Sequence, residues 1–158
     1  MVKEVASFFG RYKLELLLDP INNILEIHKR SGWYSIKTPY SLIADTLQRI
    51  IFHLAAIKSN ENSIILFEEP ENHSFPPYIL YLAKSIVEST TNQFFLTTHS
   101  PYILNTLMQE SSLEDLAIFM VDYKDYQTIA RRLEKEEVRE MMDYGIDIFF
   151  NLDRFSHE

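Results

Sequence analysis

Two short apolar runs, each ended abruptly by polar residues, constrain the fold of this chain most strongly. The first is Ile64-Ile-Leu-Phe67, followed by Glu68-Glu-Pro-Glu71, and the second is Gln93-Phe-Phe-Leu-Thr97, followed by Thr98-His-Ser-Pro101. Short unbroken apolar runs are typical of strands that are buried on both faces of a parallel sheet. The sequence therefore predicts two such strands, each ending in a polar cluster.

Helical patterns alternate with these strands. Apolar residues recur at three- and four-residue steps over Ser41–Lys58, which predicts an amphipathic helix with Ser41 as its N-cap. Pro76-Pro77 can open a second helix, and Ser100-Pro101 can cap and open a third. This alternation predicts an α/β fold in which helices flank a parallel sheet.

The two ends of the chain add further predicted elements. The segments Asn23–His28 and Trp33–Lys37 flank a glycine-containing turn, which predicts a small N-terminal β-hairpin. Beyond the core, the pattern predicts two closing strands and a charged helix, over Leu116–Val121, Gln127–Arg132 and Glu134–Met142. We expect one domain over residues 1–158, comprising an N-terminal segment (1–40), a core (41–110) and a closing segment (111–158).

The composition limits the classes of function. The formal net charge of −8 does not provide the basic surface of an autonomous nucleic-acid binder, although a local basic patch is compatible with it. The absence of cysteine excludes disulfides and cysteine-ligated metal sites. The sequence contains neither a signal-peptide pattern nor an apolar stretch of about 18 residues, so we expect a cytoplasmic chain without a membrane partner.

The two polar clusters contain the residues that can carry out chemistry. Ligands bind beyond the carboxyl ends of parallel strands, and a right-handed crossover would bring Glu68, Glu69 and His99 to one rim. One carboxylate there can hold Mg²⁺, a second can activate a water, and a histidine can contact a phosphate. The structural alternative is a solvated Glu-Glu pair and a hydrogen-bonding histidine, which is the role we expect for His53. For His73 we expect a loop position.

The motifs resemble those of a known family. Ile64–Glu71 looks like the Walker B strand of ABC-type ATPases, in the branch that resembles RecF, SMC and overcoming-lysogenization-defect proteins of the AAA group. Asn72–Pro76 resembles the D-loop, and Phe94–Pro101 resembles the switch-histidine strand. The resemblance implies the C-terminal half of a P-loop NTPase-like domain, which binds and hydrolyses ATP with Mg²⁺.

The resemblance also implies a role for each matching residue. Glu68 matches the acid that holds Mg²⁺, although the family more usually has aspartate there. Glu69 matches the catalytic base, and His99 matches the sensor of the γ-phosphate. Asn72 and Ser100 match further nucleotide-binding positions.

Two departures from the family pattern concern phosphate binding. Asp45, near the start of the helix that resembles the ABC signature helix, stands where the family has a glycine, and its carboxylate would repel a γ-phosphate. A P-loop needs glycine, four residues, then Gly-Lys-Ser/Thr, and the three widely spaced glycines here exclude it: Gly10, Gly32 and Gly145. A P-loop-bearing polypeptide would have to complete the site, or the chain is a fragment or an alternative translation product of a longer protein. The resemblance also implies a homodimer partner as a candidate, because the sites of the family form at dimer interfaces.

Two alternatives to such a divided ATPase stay open. A non-catalytic interaction module would keep the fold without nucleotide chemistry, which agrees with the missing P-loop and with Asp45. A metal-dependent hydrolase would use the clustered acids and histidines as ligands, namely Glu68, Glu69, Glu71, His73 and His99. DNA enters as a partner through the resemblance alone, and no residue selects among DNA repair, chromosome maintenance and anti-phage defence.

Overall fold

The computed structural model of the protein describes residues 9–10 and 13–155, apart from the side chain of Asp153. The chain divides into two units, Met1–Thr97 and Thr98–Glu158, and the prediction of one domain over the whole chain stays a prediction. The strands are β1 Leu14–Asp19, β2 Ile24–Ser31, β3 Tyr34–Pro39, β4 Ile64–Glu68, β5 Gln93–Thr97, β6 Phe119–Lys124 and β7 Gln127–Arg132. The helices are α1 Asp45–Ser59, α2 Pro76–Val87, α3 Pro101–Glu110, α4 Lys135–Tyr144 and α5 Leu152–Phe155.

The first unit begins with an antiparallel sheet in the order β1-β2-β3. The predicted hairpin is confirmed as β2 and β3, and its turn consists of Gly32 and Trp33 between the paired residues Ser31 and Tyr34. Gly32 has φ +61° and occupies the first turn position, which type II′ turns give to glycine. The sequence does not reveal β1, because the run of leucines in that strand does not alternate with polar residues.

The two faces of this sheet differ in chemistry. Leu16 and Ile27 are cross-strand partners, and both side chains are buried. The opposite face carries ion pairs between neighbouring strands, namely Glu15 with Arg30 at 3.0 Å and Glu26 with Lys37 at 3.3 Å. The alternation of side chains along each strand thus separates an apolar face from a charged face.

Helix α1 begins later than the sequence predicts. The predicted N-cap Ser41 is wrong, since this residue lies in a 3₁₀ turn over Tyr40–Leu42. The Tyr40 hydroxyl donates to the carbonyl oxygen of Gln48 at 2.8 Å, and Gln48 Nε2 donates to the carbonyl oxygen of Ile43 at 2.9 Å. These hydrogen bonds hold the preceding segment in a turn, so the helix starts only beyond it.

The parallel pair of β4 and β5 belongs to the first unit, and α2 connects the two strands, as predicted. This arrangement confirms the predicted α/β class. The prediction that the two apolar runs are buried on both faces is wrong for both strands. In β4, Ile65 and Phe67 are buried, but Ile64 and Leu66 on the other face are 64% and 74% exposed. In β5, Phe95 is 54% exposed. Side chains alternate across a strand, and the described residues cover only one of the two faces.

The second unit has its own apolar core. Helices α3 and α4, the link between β7 and α4, and the C-terminal turns contribute its buried side chains: Leu104, Met108, Leu133, Val138, Met141, Ile148 and Phe155. Arg131 donates from two nitrogens to the carboxylate of Glu137, each at 3.0 Å, and also to the carbonyl oxygen of Phe155. A capping box of Glu134 and Glu137 opens α4, and Gly145 ends it at φ +63°, the left-handed conformation that favours glycine at helix ends.

The turn between β6 and β7 contains the residues Asp125 and Tyr126, with φ of 52° and 62°. Two positive φ values define a type I′ turn, in which glycine is the favoured second residue. We predict that Tyr126→Gly raises the free energy of unfolding by about 1 kcal/mol, because it removes the left-handed strain of a bulky residue. Urea denaturation measures this difference. The control Tyr123→Gly, inside β6, should destabilise the unit, and equal losses from both changes would contradict the prediction.

His53 is 7% exposed, and its ring centroid lies 5.0 Å from that of Phe67. Burial, and secondarily the positive charge of Arg49, lower the pKa of His53 below its ordinary value of 6.5. The unfolded chain therefore binds more protons below about pH 6.5, and stability should fall as the pH decreases from 7. We expect His53→Leu to weaken this pH dependence in denaturation curves, whereas His73→Asn, at an exposed loop position, should leave it unchanged.

Candidate functional site

The turn after β4 holds the backbone of Glu69 in an unusual conformation. Glu68 is the last residue of β4 and pairs with Thr97 at the end of β5. Glu69 has a positive φ of 40°, and its N–H donates to the carbonyl oxygen of Thr97 at 3.0 Å and to the Thr97 hydroxyl at 3.3 Å. The end of β5 thereby fixes the backbone of Glu69, the residue that follows β4. Backbone strain of this kind, at positive φ, is common at functional positions.

The predicted D-loop fixes the carboxylate of Glu69. Asn72 Nδ2 donates to Glu69 Oε2 at 2.5 Å, and the Asn72 N–H donates to the carbonyl oxygen of Glu69 at 3.0 Å. Pro70 is fully buried beneath this turn. The Glu-Glu-Pro-Glu-Asn segment therefore forms a tight turn in which one oxygen of the Glu69 carboxylate accepts a hydrogen bond from Asn72.

Glu68 borders a cavity of about 450 Å³ between α1 and β4. The residues that line it are Tyr40, Asp45, Gln48, Arg49, Phe52, His53, Leu66, Phe67 and Glu68. Arg49 Nε lies 3.0 Å from the carboxylate of Asp45, so the negative charge of Asp45 is compensated within the same helix. The sequence identifies Asp45 as a departure from the family. The only sequence signal for its pairing with Arg49 is the i,i+4 spacing of the two residues.

A hydrogen bond also connects α1 to the loop that follows the acidic residues. The hydroxyl of Thr46 donates to the carbonyl oxygen of His73 at 2.5 Å, and His73 has a positive φ of 59°. His73 is an exposed loop residue, as the sequence predicts. The first turn of α1 therefore positions the loop that follows the acidic residues, a role that the sequence does not reveal.

His99 and Ser100 belong to the second unit, where they precede α3. Ser100 is 6% exposed, and its hydroxyl accepts from the N–H of Ile103 at 3.4 Å, which confirms the predicted N-cap. The N–H of Ser100 donates to the hydroxyl of Thr98 at 2.9 Å. His99 is exposed, and its predicted meeting with Glu69 at one rim stays a prediction.

The acids of the first unit suit Mg²⁺ better than a metal bound entirely by protein. Mg²⁺ keeps several waters and binds through one or two carboxylates together with substrate phosphates, and the exposed carboxylate of Glu68 at a strand end fits this role. In the described part of the chain, no three histidine, aspartate or glutamate side chains are grouped closely enough to hold a metal ion. The geometry therefore gives no support to the metal-dependent hydrolase.

Comparisons with known proteins agree with this architecture. A family model described as AAA ATPase domain matches residues 41–104, which run from the turn before α1 into α3. A solved structure of an SMC ATPase, from work on the ATP-driven dimerization and DNA-stimulated activation of these proteins, is 17% identical with a TM-score of 0.57. That similarity covers 90% of this chain and 89% of the other.

Two larger SMC heads have the same fold. A SmcHead bound to the C-winged helix domain of ScpA is 19% identical over 88% of this chain and 44% of that chain, with a TM-score of 0.59. An Smc head domain with an extended coiled coil, bound to the C-terminal domain of ScpA derived from Pyrococcus furiosus, is 17% identical over 90% of this chain and 37% of that chain, with a TM-score of 0.55. No curated protein matches the sequence significantly.

These similarities confirm the fold of an SMC ATPase head and the predicted resemblance to the C-terminal part of an ABC-type, SMC-like P-loop ATPase domain. The chain spans less than half the length of the two larger heads. Within the described residues, every helix is too short or too polar to cross a membrane.

We predict that Ser100→Ala lowers the free energy of unfolding by about 1 kcal/mol, because the first turn of α3 loses its capping oxygen. Ser100→Asn retains a capping oxygen and should stay close to the wild type. Urea denaturation of the three proteins measures the difference. Equal stability of the alanine and asparagine variants would show that the hydroxyl contributes no cap.

Proposed function

We propose that this chain supplies the catalytic carboxylates and the switch histidine of an ABC-type ATPase, and that a P-loop-bearing polypeptide completes the nucleotide site. The observation that carries the proposal is the geometry of Glu69. Its backbone is strained at φ 40°, bound to Thr97 at the end of β5, and its carboxylate is oriented by Asn72 at 2.5 Å. A solvated acidic pair would not require these three constraints.

Each residue then has a defined task in ATP hydrolysis. Glu68 would hold Mg²⁺, and the ion would neutralise charge on the phosphates. Glu69 receives a proton from the attacking water, while the hydrogen bond from Asn72 keeps its carboxylate in one orientation. His99, which follows β5, contacts the γ-phosphate as the reaction proceeds. Ser100 orients the start of α3, so its contribution to the nucleotide site is through the position of His99.

The Asp45–Arg49 pair reduces the conflict between Asp45 and phosphate. The guanidinium lies 3.0 Å from the carboxylate, so an approaching phosphate meets an ion pair in place of a bare negative charge. Such an exposed pair is worth little for stability, about 0–1 kcal/mol, and Arg49 can therefore exchange its partner for a phosphate. The Asp45–Arg49 pair therefore makes the N-terminal end of α1 compatible with a bound nucleotide.

The exposed face of β4 agrees with a completing partner. Parallel sheets are normally covered on both faces, whereas here Ile64, Leu66 and Phe95 are 64%, 74% and 54% exposed. Cross-strand pairing places Leu66 beside Phe95, so these side chains share one face. One SMC ATPase of similar fold comes from work on ATP-driven dimerization. By analogy, the completed protein would form a homodimer.

The second candidate is a non-catalytic interaction module that keeps the fold. The missing P-loop favours it, and the ordered carboxylate of Glu69 disfavours it, since a scaffold gains nothing from strain at that position. The two candidates differ in whether the chemistry of Glu69 matters.

The test isolates tagged chain from its native cells in the presence of Mg·ATP and measures ATP turnover by the complex. We expect a P-loop-bearing polypeptide in the complex, and Glu69→Gln should lower kcat by about 10²- to 10⁴-fold without loss of ATP binding, because the general base is removed. Glu61→Gln, in the exposed turn before β4, is the matched control and should leave kcat unchanged.

Calorimetric titration of Mg·ATP into the complex adds a second measurement, in which Glu68→Ala should weaken nucleotide binding that depends on Mg²⁺. Equal turnover by the wild type and Glu69→Gln would refute the role of Glu69. Recovery of the chain without any P-loop polypeptide and without nucleotide binding would favour the interaction module.

A further inference from the structure

The turn between β2 and β3 presents the only tryptophan of the chain to solvent. Trp33 is 95% exposed, and its ring centroid lies 5.5 Å from that of Tyr34 in an edge-on arrangement. Only Gly32 and Trp33 form the turn, between the paired residues Ser31 and Tyr34. A two-residue turn on a paired hairpin fixes the backbone that carries the aromatic side chain, so little backbone entropy is lost when a ligand stacks on it.

The hairpin tip, which we define as Lys29–Lys37, contains three cationic side chains. No acidic residue occurs between Glu26 and Asp45, although the chain as a whole has a formal net charge of −8. Lys29, Arg30 and Lys37 pair with Ile36, Ser35 and His28 respectively. At about 3.4 Å per residue, all three cations start within roughly 10 Å of the turn along the strands.

The two faces of the hairpin both contribute positive charge. Lys29 follows the register of the apolar face, and Arg30 and Lys37 follow that of the charged face. The ion pairs of Arg30 with Glu15 and of Lys37 with Glu26 involve cationic side chains that are 76% and 64% exposed. Ion pairs this exposed are weak and screened by salt, so phosphate groups can replace the carboxylates.

We propose that the hairpin tip binds single-stranded nucleic acid, with one base stacked on Trp33 and the neighbouring phosphates contacted by Lys29, Arg30 and Lys37. Aromatic side chains combined with nearby cations form the usual platform for unpaired strands, and every base offers a face for stacking. The surface is separate from the acidic turn after β4, and the inference does not depend on ATP hydrolysis.

An anionic membrane surface is the competing occupant, because tryptophan and basic residues also favour bilayer interfaces. The tip suits it less well. The rings of Trp33 and Tyr34 project from a turn whose other two residues are the small Ser31 and Gly32, whereas binding to a bilayer draws on a broad apolar face. The more exposed ring, that of Trp33, offers a face on which one base can stack.

The test uses the fluorescence of Trp33, which reports on the tip alone because the chain has no other tryptophan. Titration with a short oligothymidylate, and separately with oligouridylate, should quench this fluorescence at low salt. The binding constant should fall with salt concentration with a logarithmic slope of about −2, as three phosphate contacts on a single strand require. Quenching by both oligonucleotides shows stacking without selection for the sugar, whereas quenching by one of them identifies which type of strand binds.

Variants are compared by the anisotropy of a labelled oligothymidylate. Trp33→Ala should weaken binding roughly tenfold or more, and Trp33→Phe should retain most of the affinity, because the aromatic face remains. Lys29→Gln combined with Arg30→Gln should weaken binding and reduce the salt dependence. The matched control is Tyr126→Ala at the β6–β7 turn, where an aromatic side chain that is 93% exposed follows Asp125, and it should bind like the wild type.

Three results would overturn the proposal. The first is unchanged fluorescence and anisotropy with both oligonucleotides at low salt, and the second is equal binding by the wild type and a folded Trp33→Ala variant. The third is a blue shift of Trp33 fluorescence with phosphatidylserine vesicles in the absence of any response to oligonucleotide, which would assign the tip to a membrane surface.

Discussion

The hydrogen bonds between the Glu69 N–H and Thr97 connect the ends of β4 and β5, and the acidic turn depends on them. They continue the pairing of the two parallel strands by one residue, to a position where the chain has already left the strand. Together with the hydrogen bonds from Asn72, this continuation holds Glu69 at positive φ. The carboxylate that we propose as general base therefore takes its position from the neighbouring strand, which is distant in sequence.

The surrounding loop maintains the same conformation at a cost in stability. Glu69 and His73 both have positive φ, a conformation that costs about 1–2 kcal/mol for residues other than glycine. Hydrogen bonds from Asn72 to Glu69 and from Thr46 to His73 offset part of this cost. A segment that served stability alone would carry glycine or asparagine in place of Glu69, so this glutamate is better explained by chemistry.

Two exposed surfaces of the first unit differ in chemistry. The bare apolar face of β4 and β5, with Leu66 and Phe95, has the character of an unfinished sheet and agrees with a partner polypeptide. The hairpin tip around Trp33 carries positive charge in an acidic chain and agrees with a polyanion. The proposed nucleotide chemistry and the proposed strand binding therefore rest on separate parts of the same unit.

The amino-acid sequence by itself determined β5, the caps of α3 and α4, and the position of Glu68 at a strand end. These features depend on residues close together in the chain, such as Ser100 before Pro101 or Gly145 after α4. The same local reasoning placed the start of α1 wrongly at Ser41, because hydrogen bonds from Tyr40 and Gln48 side chains decide it.

Only the tertiary structure decided the conformation of Glu69, the exposure of Leu66 and the pairing of Thr46 with His73. Each of these depends on segments that lie far apart in sequence, 28 positions for Glu69 with Thr97 and 27 for Thr46 with His73. Periodicity shows that a residue lies on a strand, but whether another layer covers that strand depends on packing. The acidic residues can therefore be recognised from the local sequence, whereas their geometry depends on contacts between segments that are distant in sequence.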